Sequence, residues 1–172
     1  IRDAQTADVA IQAALTGHLV FSTVHTNDAA GAITRLLDMG VENYLISSAV
    51  LGVLAQRLVR VICKKCIEPT KVSKTLIAEM GTYDQEEMKT FHGKGCKECS
   101  HTGFRGRAGI YELLVVDDAI RQLILDKSTA QIIRETARNK GMTTLREDGW
   151  KKVADGITTV EEVLRVTLNE QT

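Results

Sequence analysis

The chain has 172 residues, of which 44% are hydrophobic and 4% aromatic, so it can bury a core made mainly of aliphatic side chains. Lysine and arginine total 22, as do aspartate and glutamate, which excludes attraction to nucleic acid or an anionic membrane through overall charge. The longest apolar stretch, residues 45–55, is much shorter than the ~20 residues of a membrane-spanning helix. Because the chain starts at Ile1 and shows no leader of the signal-peptide type, we expect a cytoplasmic fragment of a longer protein.

Helix and strand patterns alternate in the first part of the chain. Apolar residues recur at helical spacing over residues 3–15 and again over 28–40. Between these two helices, residues 18–24 (HLVFSTV) are typical of a buried strand. Residues 43–55 predict a third helix, and residues 57–62 alternate as a half-exposed strand does. This order predicts an α/β sheet covered by helices.

The last part of the chain is mainly helical. Residues 103–109 (GFRGRAG) are too rich in glycine for a regular element, whereas residues 110–116 (IYELLVV) predict a strand. Three or four helices fit residues 117–167, and we expect them to form a small bundle. At the start of the last helix, Thr159 and Glu162 have the spacing of a capping box.

The four cysteines form two C-x2-C pairs, which are separated by the 29 residues from Ile67 to Gly95. This spacing lets both thiolates of a pair bind one ion, and four sulfurs complete the tetrahedral shell of zinc. Such a site leaves no open position for water, so its role would be structural. Free thiols or disulfides are the alternative, although disulfides are uncommon in the cytosol. Between the pairs, short helical patterns surround Leu76 and Met88. The predicted zinc ligands are Cys63, Cys66, Cys96 and Cys99.

Polar side chains follow the strand predicted at residues 18–24. His25 lies there together with Thr26 and Asn27, and ligands bind at the carboxyl ends of strands in open α/β sheets. His18 lies at the other end of the same strand. Two interpretations of His25 are possible: it binds a phosphate or a polarised water, or it caps the following helix.

Arg105 and Arg107 flank Gly106 in a glycine-rich segment. They are either solvated surface charges or guanidinium groups that bind a phosphate, since flanking glycines let the backbone approach an anion. The sequence contains no G-x-x-x-x-G-K-[ST] loop, so we expect the chain as given not to hydrolyse nucleotide by itself.

Several motifs follow one another in a fixed order: IRD, TGHLVFSTVHTNDA, ITRLLDMG, LGVLAQRLVR, the paired cysteine motifs, GFRGRAGIYELL and GITTVEEVLRVT. Together they resemble the secretion ATPase superfamily, and more narrowly the cytoplasmic ATPases of the bacterial type II (general) secretion pathway. The resemblance implies the C-terminal half of a RecA-like P-loop ATPase domain, with an inserted zinc-binding tetracysteine element and a small C-terminal helical bundle. The expected boundaries are residues 1–62 for the ATPase core, 63–106 for the zinc element and 107–172 for the C-terminal strand and helical subdomain.

The resemblance also implies roles for single residues. His25 is expected to sense the terminal phosphate of the nucleotide, with His18 as its companion. The Walker A loop and the catalytic glutamate of the family would lie outside this chain. The remaining candidates, for nucleotide binding or inter-domain contacts, are Arg2, Asp3, Arg105 and Arg107.

The implied function of the full-length protein is that of a cytoplasmic, hexameric ATPase that uses ATP and Mg²⁺ and carries structural Zn²⁺. It would couple ATP hydrolysis to type II protein secretion through pseudopilus assembly. The implied partners are the other subunits of the homo-hexamer and the platform proteins of the inner membrane, to which the ATPase would bind peripherally. No nucleic acid is expected.

Two alternatives remain at this stage. One is a type IV pilus assembly ATPase; the tetracysteine motif disfavours the pilus-retraction branch, and LGVLAQRLVR is closer to the secretion branch. The other is a zinc-ribbon nucleic-acid or protein-interaction module. Its nucleic-acid form would use Arg57, Arg60, Lys64 and Lys65, but the balanced charge and the lack of neighbouring aromatic residues weigh against it.

Overall fold

The computed structural model describes residues 1–71 and 89–167, which form seven α-helices and four β-strands. The chain divides into two compact units that interleave in sequence. The first unit comprises Ile1–Ala55 and Glu112–Thr144, and the second comprises the described residues within Gln56–Tyr111 and Leu145–Thr172. The division into three consecutive segments, residues 1–62, 63–106 and 107–172, stays a prediction.

The first unit contains five helices, and three of them begin at a capping aspartate. Asp3, Asp28 and Asp117 each accept a hydrogen bond from the backbone N–H three residues further on, which satisfies a donor that the helix itself leaves unpaired. The helices are α1 (Ala4–Leu15), α2 (Ala29–Asp38), α3 (Asn43–Ala49), α4 (Asp118–Leu125) and α5 (Ala130–Asn139).

The core of the first unit lies where these helices meet. Helix α3 packs against α1, α2 and α4, and helix α5 packs against α2 and α4. Isoleucine is the commonest large residue at these contacts, as the aliphatic composition predicts. The fully buried core side chains include Ile33, Ile46, Leu114, Ile120, Ile124 and Ile133.

The two longest strands, β1 (Gly52–Ile62) and β4 (Phe104–Val115), pair with each other. At one end, the carbonyl of Leu51 accepts a hydrogen bond from the N–H of Val116 at 3.0 Å. At the other end, the carbonyl of Gly103 accepts from the N–H of Cys63 at 2.9 Å. Because the start of β1 lies beside the end of β4, the pair is antiparallel.

The second unit contains the short antiparallel pair β2 (Ile67–Thr70) and β3 (Thr90–Gly93), in which Ile67 lies opposite Gly93. It also contains helices α6 (Leu145–Ala154) and α7 (Val160–Thr167), which pack closely. A Cβ added at Gly149 would lie 2.5 Å from Cγ1 of Val163, so glycine permits this approach. The core side chains are Val59, Ile62, Ile110, Leu145, Trp150, Val153, Val160 and Val163.

Glu162, which is only 2% exposed, joins the last helix to strand β1. Its carboxylate accepts hydrogen bonds from the backbone N–H of Arg60 at 3.0 Å and from the Arg60 guanidinium at 2.7 Å. The Arg165 guanidinium donates two more, at 2.9 and 2.8 Å. Burial alone would raise the pKa of Glu162, but the hydrogen bonds from Arg165 and Arg60 outweigh it and lower the pKa to about 2.

In the first unit, two predicted helices are present and one predicted strand is not. The helices predicted over residues 3–15 and 28–40 are confirmed. The buried strand predicted over residues 18–24 is wrong, since this segment has no regular secondary structure and Phe21 is 87% exposed. A strand needs a hydrogen-bonding neighbour, and in the part of the chain that the structure describes β1 and β4 pair with each other instead.

The helix predicted over residues 43–55 is too long. It ends at Ala49, Val50 is extended (φ −83°, ψ 121°), and β1 begins at Gly52. The strand predicted at residues 57–62 is therefore confirmed as the second half of a longer strand. Pairing with β4 decides the outcome, because short apolar runs are compatible with either a helix or a strand.

In the last part of the chain, the strand predicted over residues 110–116 is confirmed, but the glycine-rich segment before it is not irregular. Residues 104–109 belong to β4, because their backbone continues the same pairing with β1. Four helices follow residue 117 in the described part of the chain, within the three or four expected, yet they do not form one bundle: α4 and α5 belong to the first unit, and α6 and α7 to the second. The helical patterns at Leu76 and Met88 lie outside the described residues.

Only half of the capping box predicted at Thr159 and Glu162 is formed. The Thr159 hydroxyl accepts from the N–H of Glu162 at 3.4 Å, whereas the Glu162 carboxylate binds Arg60 and Arg165. Among the described helices, none combines the length and apolar character needed to cross a membrane.

Replacing Glu162 by glutamine should destabilise the second unit. The amide nitrogen would direct a donor toward arginine donors, and we expect a loss of about 2 kcal/mol in the free energy of unfolding. Trp150, the single tryptophan of the chain and 1% exposed, reports unfolding of this unit by fluorescence in a urea titration. Glu161→Gln, at the exposed neighbouring position, is the matched control; equal midpoints for the two variants would contradict the expectation.

The contribution of Glu162 should also depend on pH. Its pKa is lowered from 4.5 to about 2, so the stabilisation is complete above pH 4.5 and is lost as the pH falls toward 2. The difference in urea midpoint between the Glu161→Gln and Glu162→Gln variants should therefore be largest near neutral pH and shrink below pH 4.5. A difference that stays constant down to pH 3 would argue against the ion pairs as its cause.

Candidate functional site

The four cysteine sulfurs converge on one point of the second unit. All lie within 4.8 Å of one another, and three of the Sγ–Sγ distances are 3.9 Å for Cys63–Cys96, 3.9 Å for Cys66–Cys99 and 3.8 Å for Cys96–Cys99. A tetrahedron with metal–sulfur bonds of about 2.3 Å has edges of about 3.8 Å. The sulfur positions therefore fit a tetrahedral zinc ion.

Backbone contacts bring the two cysteine pairs together. The first pair lies between β1 and β2; in the second pair, Cys96 caps and Cys99 ends a 3-10 turn, Lys97–Cys99, that precedes β4. The carbonyl of Cys66 accepts from the N–H of Lys94 at 2.9 Å. A Cβ added at Gly93 would lie 2.0 Å from the carbonyl oxygen of Gly103, so the backbones at these positions approach as only glycine allows.

The surroundings of the sulfurs are those of metal ligands. Cys63 and Cys99 are 1% and 6% exposed. Hydrogen bonds from the N–H groups of Cys96 and Gly103 reach the Cys99 sulfur at 3.2 and 3.3 Å. The N–H of Cys96 is the main cause that lowers the pKa of Cys99 to about 6, whereas burial raises the pKa of Cys66 to about 12. A bound cation would favour the thiolate form of all four.

The loop that carries His25 connects α1 to α2 in the first unit. His25 is exposed, and no hydrogen bond to its imidazole is present among residues 1–71 and 89–167. His18 is also exposed, and its Nδ1 lies 3.1 Å from the Thr16 hydroxyl and 3.3 Å from the carbonyl of Ala13. The cap interpretation of His25 is not supported, because Asp28 caps α2.

The far end of this loop is fixed by buried charges. Asp28, 6% exposed, accepts from the N–H of Gly31 at 2.6 Å and forms an ion pair with Arg134 of α5. Glu112 of β4, 1% exposed, accepts from the N–H of Ala29 at 2.9 Å. Two carboxylates therefore occupy the N-terminus of α2, where the helix dipole favours negative charge.

The sequence analysis did not identify Glu112 or Arg134 as part of this site. A signal for Glu112 is present in the sequence, since a lone carboxylate interrupts the apolar run IYELLVV and demands a buried partner. Arg134 has no such signal, because its partner Asp28 lies 106 residues away.

Of the other predicted residues, Asp3 and Arg105 make local contacts, and Arg2 and Arg107 are exposed. Asp3 caps α1 by accepting from the Thr6 N–H at 2.8 Å, and this hydrogen bond lowers the pKa of Asp3. Arg2 is exposed. In the second unit, Arg105 forms an exposed ion pair with Glu98 at 2.8 Å, and Arg107 is exposed. The structure does not gather these residues around one ligand within either unit.

The nucleic-acid alternative requires a cationic patch that includes Arg60, and the contacts of Arg60 do not support it. Arg60 binds Glu162, and its guanidinium lies 4.1 Å from the centre of the Phe104 ring. A phosphate would have to compete with both partners. This favours a structural role for Arg60.

Comparison with known proteins gives a consistent result. The family model of the type II/IV secretion system protein matches residues 1–165. The chain is 55% identical to type II secretion system protein E of Pseudomonas aeruginosa, over 99% of this chain and 34% of that protein. It is 50% identical to type II secretion system ATPase E of Vibrio cholerae, over 97% of this chain and 33% of the relative. It is also 52% identical to the type IV pilus assembly ATPase PilB of Thermus thermophilus, over 98% of this chain and 19% of that protein.

Solved structures agree at the level of the fold. The pilus retraction motor PilT with bound ADP superposes with a TM-score of 0.63 and 25% identity, over 96% of this chain and 37% of PilT. The ATPase DotB of Yersinia pseudotuberculosis superposes with a TM-score of 0.64 and 21% identity, over 98% of this chain and 35% of DotB. Both comparisons support an α/β fold of the ATPase type.

The chain spans about a third of the length of the two type II relatives. The family match nevertheless extends over nearly all of the chain, and identities of 50% or more accompany it. The chain belongs to the type II/IV secretion system protein family.

Proposed function

We propose that this chain is the C-terminal part of a hexameric ATPase that drives type II protein secretion through pseudopilus assembly. The observation that carries the proposal is the match over residues 1–165 together with relatives named as type II secretion ATPases. On this proposal the chain contributes the C-terminal half of a RecA-like domain, residues 1–62, followed by a zinc element and a C-terminal helical subdomain. The ATPase would act in the cytoplasm and bind inner-membrane platform proteins.

A type IV pilus assembly ATPase is the second candidate, because PilB of Thermus thermophilus is 52% identical over 98% of this chain. The two functions share ATP hydrolysis and assembly of a pilus-like fibre, so the residues discussed below would have the same roles in both. The chain contains no phosphate-binding loop of the G-x-x-x-x-G-K-[ST] type, so ATP turnover would require sequence outside it.

Within this function, His25 would act as the sensor of the terminal phosphate. Two features support the assignment: its imidazole is exposed and without a hydrogen-bond partner among the described residues, and its loop ends at the fixed N-terminus of α2. Phosphoryl transfer depends mainly on positioning and electrostatic stabilisation, to which an imidazole can contribute a hydrogen bond. His18, Arg2, Asp3, Arg105 and Arg107 remain candidates for nucleotide or inter-domain contacts.

The tetracysteine cluster would hold zinc in a structural role. Cys63, Cys66, Cys96 and Cys99 would supply the complete set of ligands, and the ion would join the end of β1 to the turn before β4. A four-sulfur site lacks an open position for substrate, so it would stabilise the second unit rather than take part in catalysis.

Metal removal provides the test of the zinc site. Purified protein should contain about one zinc per chain by elemental analysis, and chelation or Cys63→Ser should increase hydrogen exchange in residues 63–71 and 89–103 while leaving α1 and α2 protected. Lys65→Ser, an exposed change between two ligands, should retain both metal and protection. Unchanged thermal stability after complete metal removal would count against a structural site.

Replacing His25 provides the test of the sensor. In the full-length protein, His25→Ala should lower ATP turnover by about a hundredfold or more and leave nucleotide binding largely unchanged, since the lost hydrogen bond acts in the transition state. The measurements are steady-state hydrolysis and equilibrium binding of a nucleotide analogue. His92→Ala, at an exposed histidine of β3, should retain normal turnover; near-normal turnover in His25→Ala would demote His25 to a surface residue.

A further inference from the structure

We infer that Arg134 is a positioning residue for the loop that carries His25, and that it acts through Asp28. The inference rests on the proposed function, because it assigns the ion pair a role in the reaction that His25 would assist. Its basis is the set of buried contacts where the loop enters α2, all of which lie within the first unit.

Asp28 uses its two carboxylate oxygens for different tasks. Oδ1 accepts from the N–H of Gly31 at 2.6 Å and so caps α2, whereas Oδ2 accepts from Nη2 of Arg134. A cap needs only the first contact. The second contact ties the cap, three residues after His25, to helix α5.

Two neighbouring contacts make this point of the chain rigid. Glu112 Oε1 accepts from the N–H of Ala29, and the hydroxyl of Thr26 donates to the carbonyl of Asp28 at 3.1 Å. Because Asp28 and Glu112 are 6% and 1% exposed, water solvates their carboxylates poorly. Arg134, whose side chain is 26% exposed, supplies positive charge at Asp28.

The consequence for His25 follows from the geometry. Loss of the Arg134 guanidinium would leave the buried Asp28 carboxylate short of a partner, and the loop would shift to expose it to water. A displacement of about 1 Å is enough to reduce catalysis by a hundredfold in well-oriented sites, and a partial shift should cost less. Nucleotide affinity, which depends on other contacts, should change little.

The chain contains a matched control on the same helix. Lys140, at the C-terminal end of α5, pairs with Asp117 at 2.6 Å, and Asp117 caps α4 as Asp28 caps α2. Both pairs therefore join α5 to the capping aspartate of another helix. Only the Asp28 pair lies next to the His25 loop in sequence.

The test uses the full-length protein and measures kcat and KM for ATP, with enough enzyme to follow slow turnover. Arg134→Gln should lower kcat by about tenfold and change KM by less than about twofold, whereas Arg134→Lys, which can still pair with Asp28, should recover most of the loss. Lys140→Gln should retain the kcat of the unmodified protein. A thermal unfolding midpoint is recorded for each variant.

The decisive comparison is made in the His25→Ala background, where a residue that acts through His25 has nothing left to position. There, Arg134→Gln should produce no further loss of kcat. An equal tenfold loss in both backgrounds, or equal losses for Arg134→Gln and Lys140→Gln, would overturn the positioning role and leave the proposed function intact. Near-normal turnover of His25→Ala alone would overturn the sensor role of His25, and the positioning role of Arg134 with it, whereas absence of ATP turnover in the unmodified protein would overturn the proposed function.

Discussion

Hydrogen bonds between β1 and β4 fix the positions on which both candidate sites depend. At one end of this pairing, the carbonyl of Gly103 accepts a hydrogen bond from the N–H of Cys63, and this contact aligns the two cysteine pairs. Further along β4, the alternation of side chains turns Glu112 and Leu114 inward, so that a carboxylate reaches the N-terminus of α2 within the core of the first unit. A shift by one residue in β4 would direct Glu112 outward and remove that contact.

Among the residues that the structure describes, Glu112 and Glu162 are the most deeply buried carboxylates, and each is bound to a backbone N–H. Glu112 binds the first N–H of α2, and Glu162 binds the N–H of Arg60 in strand β1. Burying a charge costs several kcal/mol unless hydrogen bonds replace the lost water, so each carboxylate is compatible with only one arrangement of the chain around it. Buried charge thus contributes geometric specificity where apolar packing alone would tolerate small shifts.

The sequence predicted those features that neighbouring residues determine. Helices α1 and α2 follow from apolar spacing, and the sulfur cluster follows from two C-x2-C pairs. It failed where distant partners decide the outcome. Residues 18–24 have strand composition but no strand beside them among the described residues, and the run after Asn43 changes from helix to strand at Gly52, where pairing with β4 begins. The pair between Asp28 and Arg134 spans 106 residues and has no local signature.

The cysteine cluster and His25 differ in accessibility, as their proposed roles require. A structural metal site needs every donor engaged, and the four sulfurs lie within 4.8 Å of one another, with three of their separations at 3.8 to 3.9 Å. A sensor of a transferring phosphate needs the opposite arrangement, in which the side chain is accessible and the backbone that carries it is fixed. His25 has this combination, since its imidazole is exposed while Asp28, three residues later, is held by α2 and by Arg134. Because catalysis of phosphoryl transfer depends on placing charge and hydrogen bonds before the reaction begins, the proposed role would require the fixed loop in addition to the imidazole.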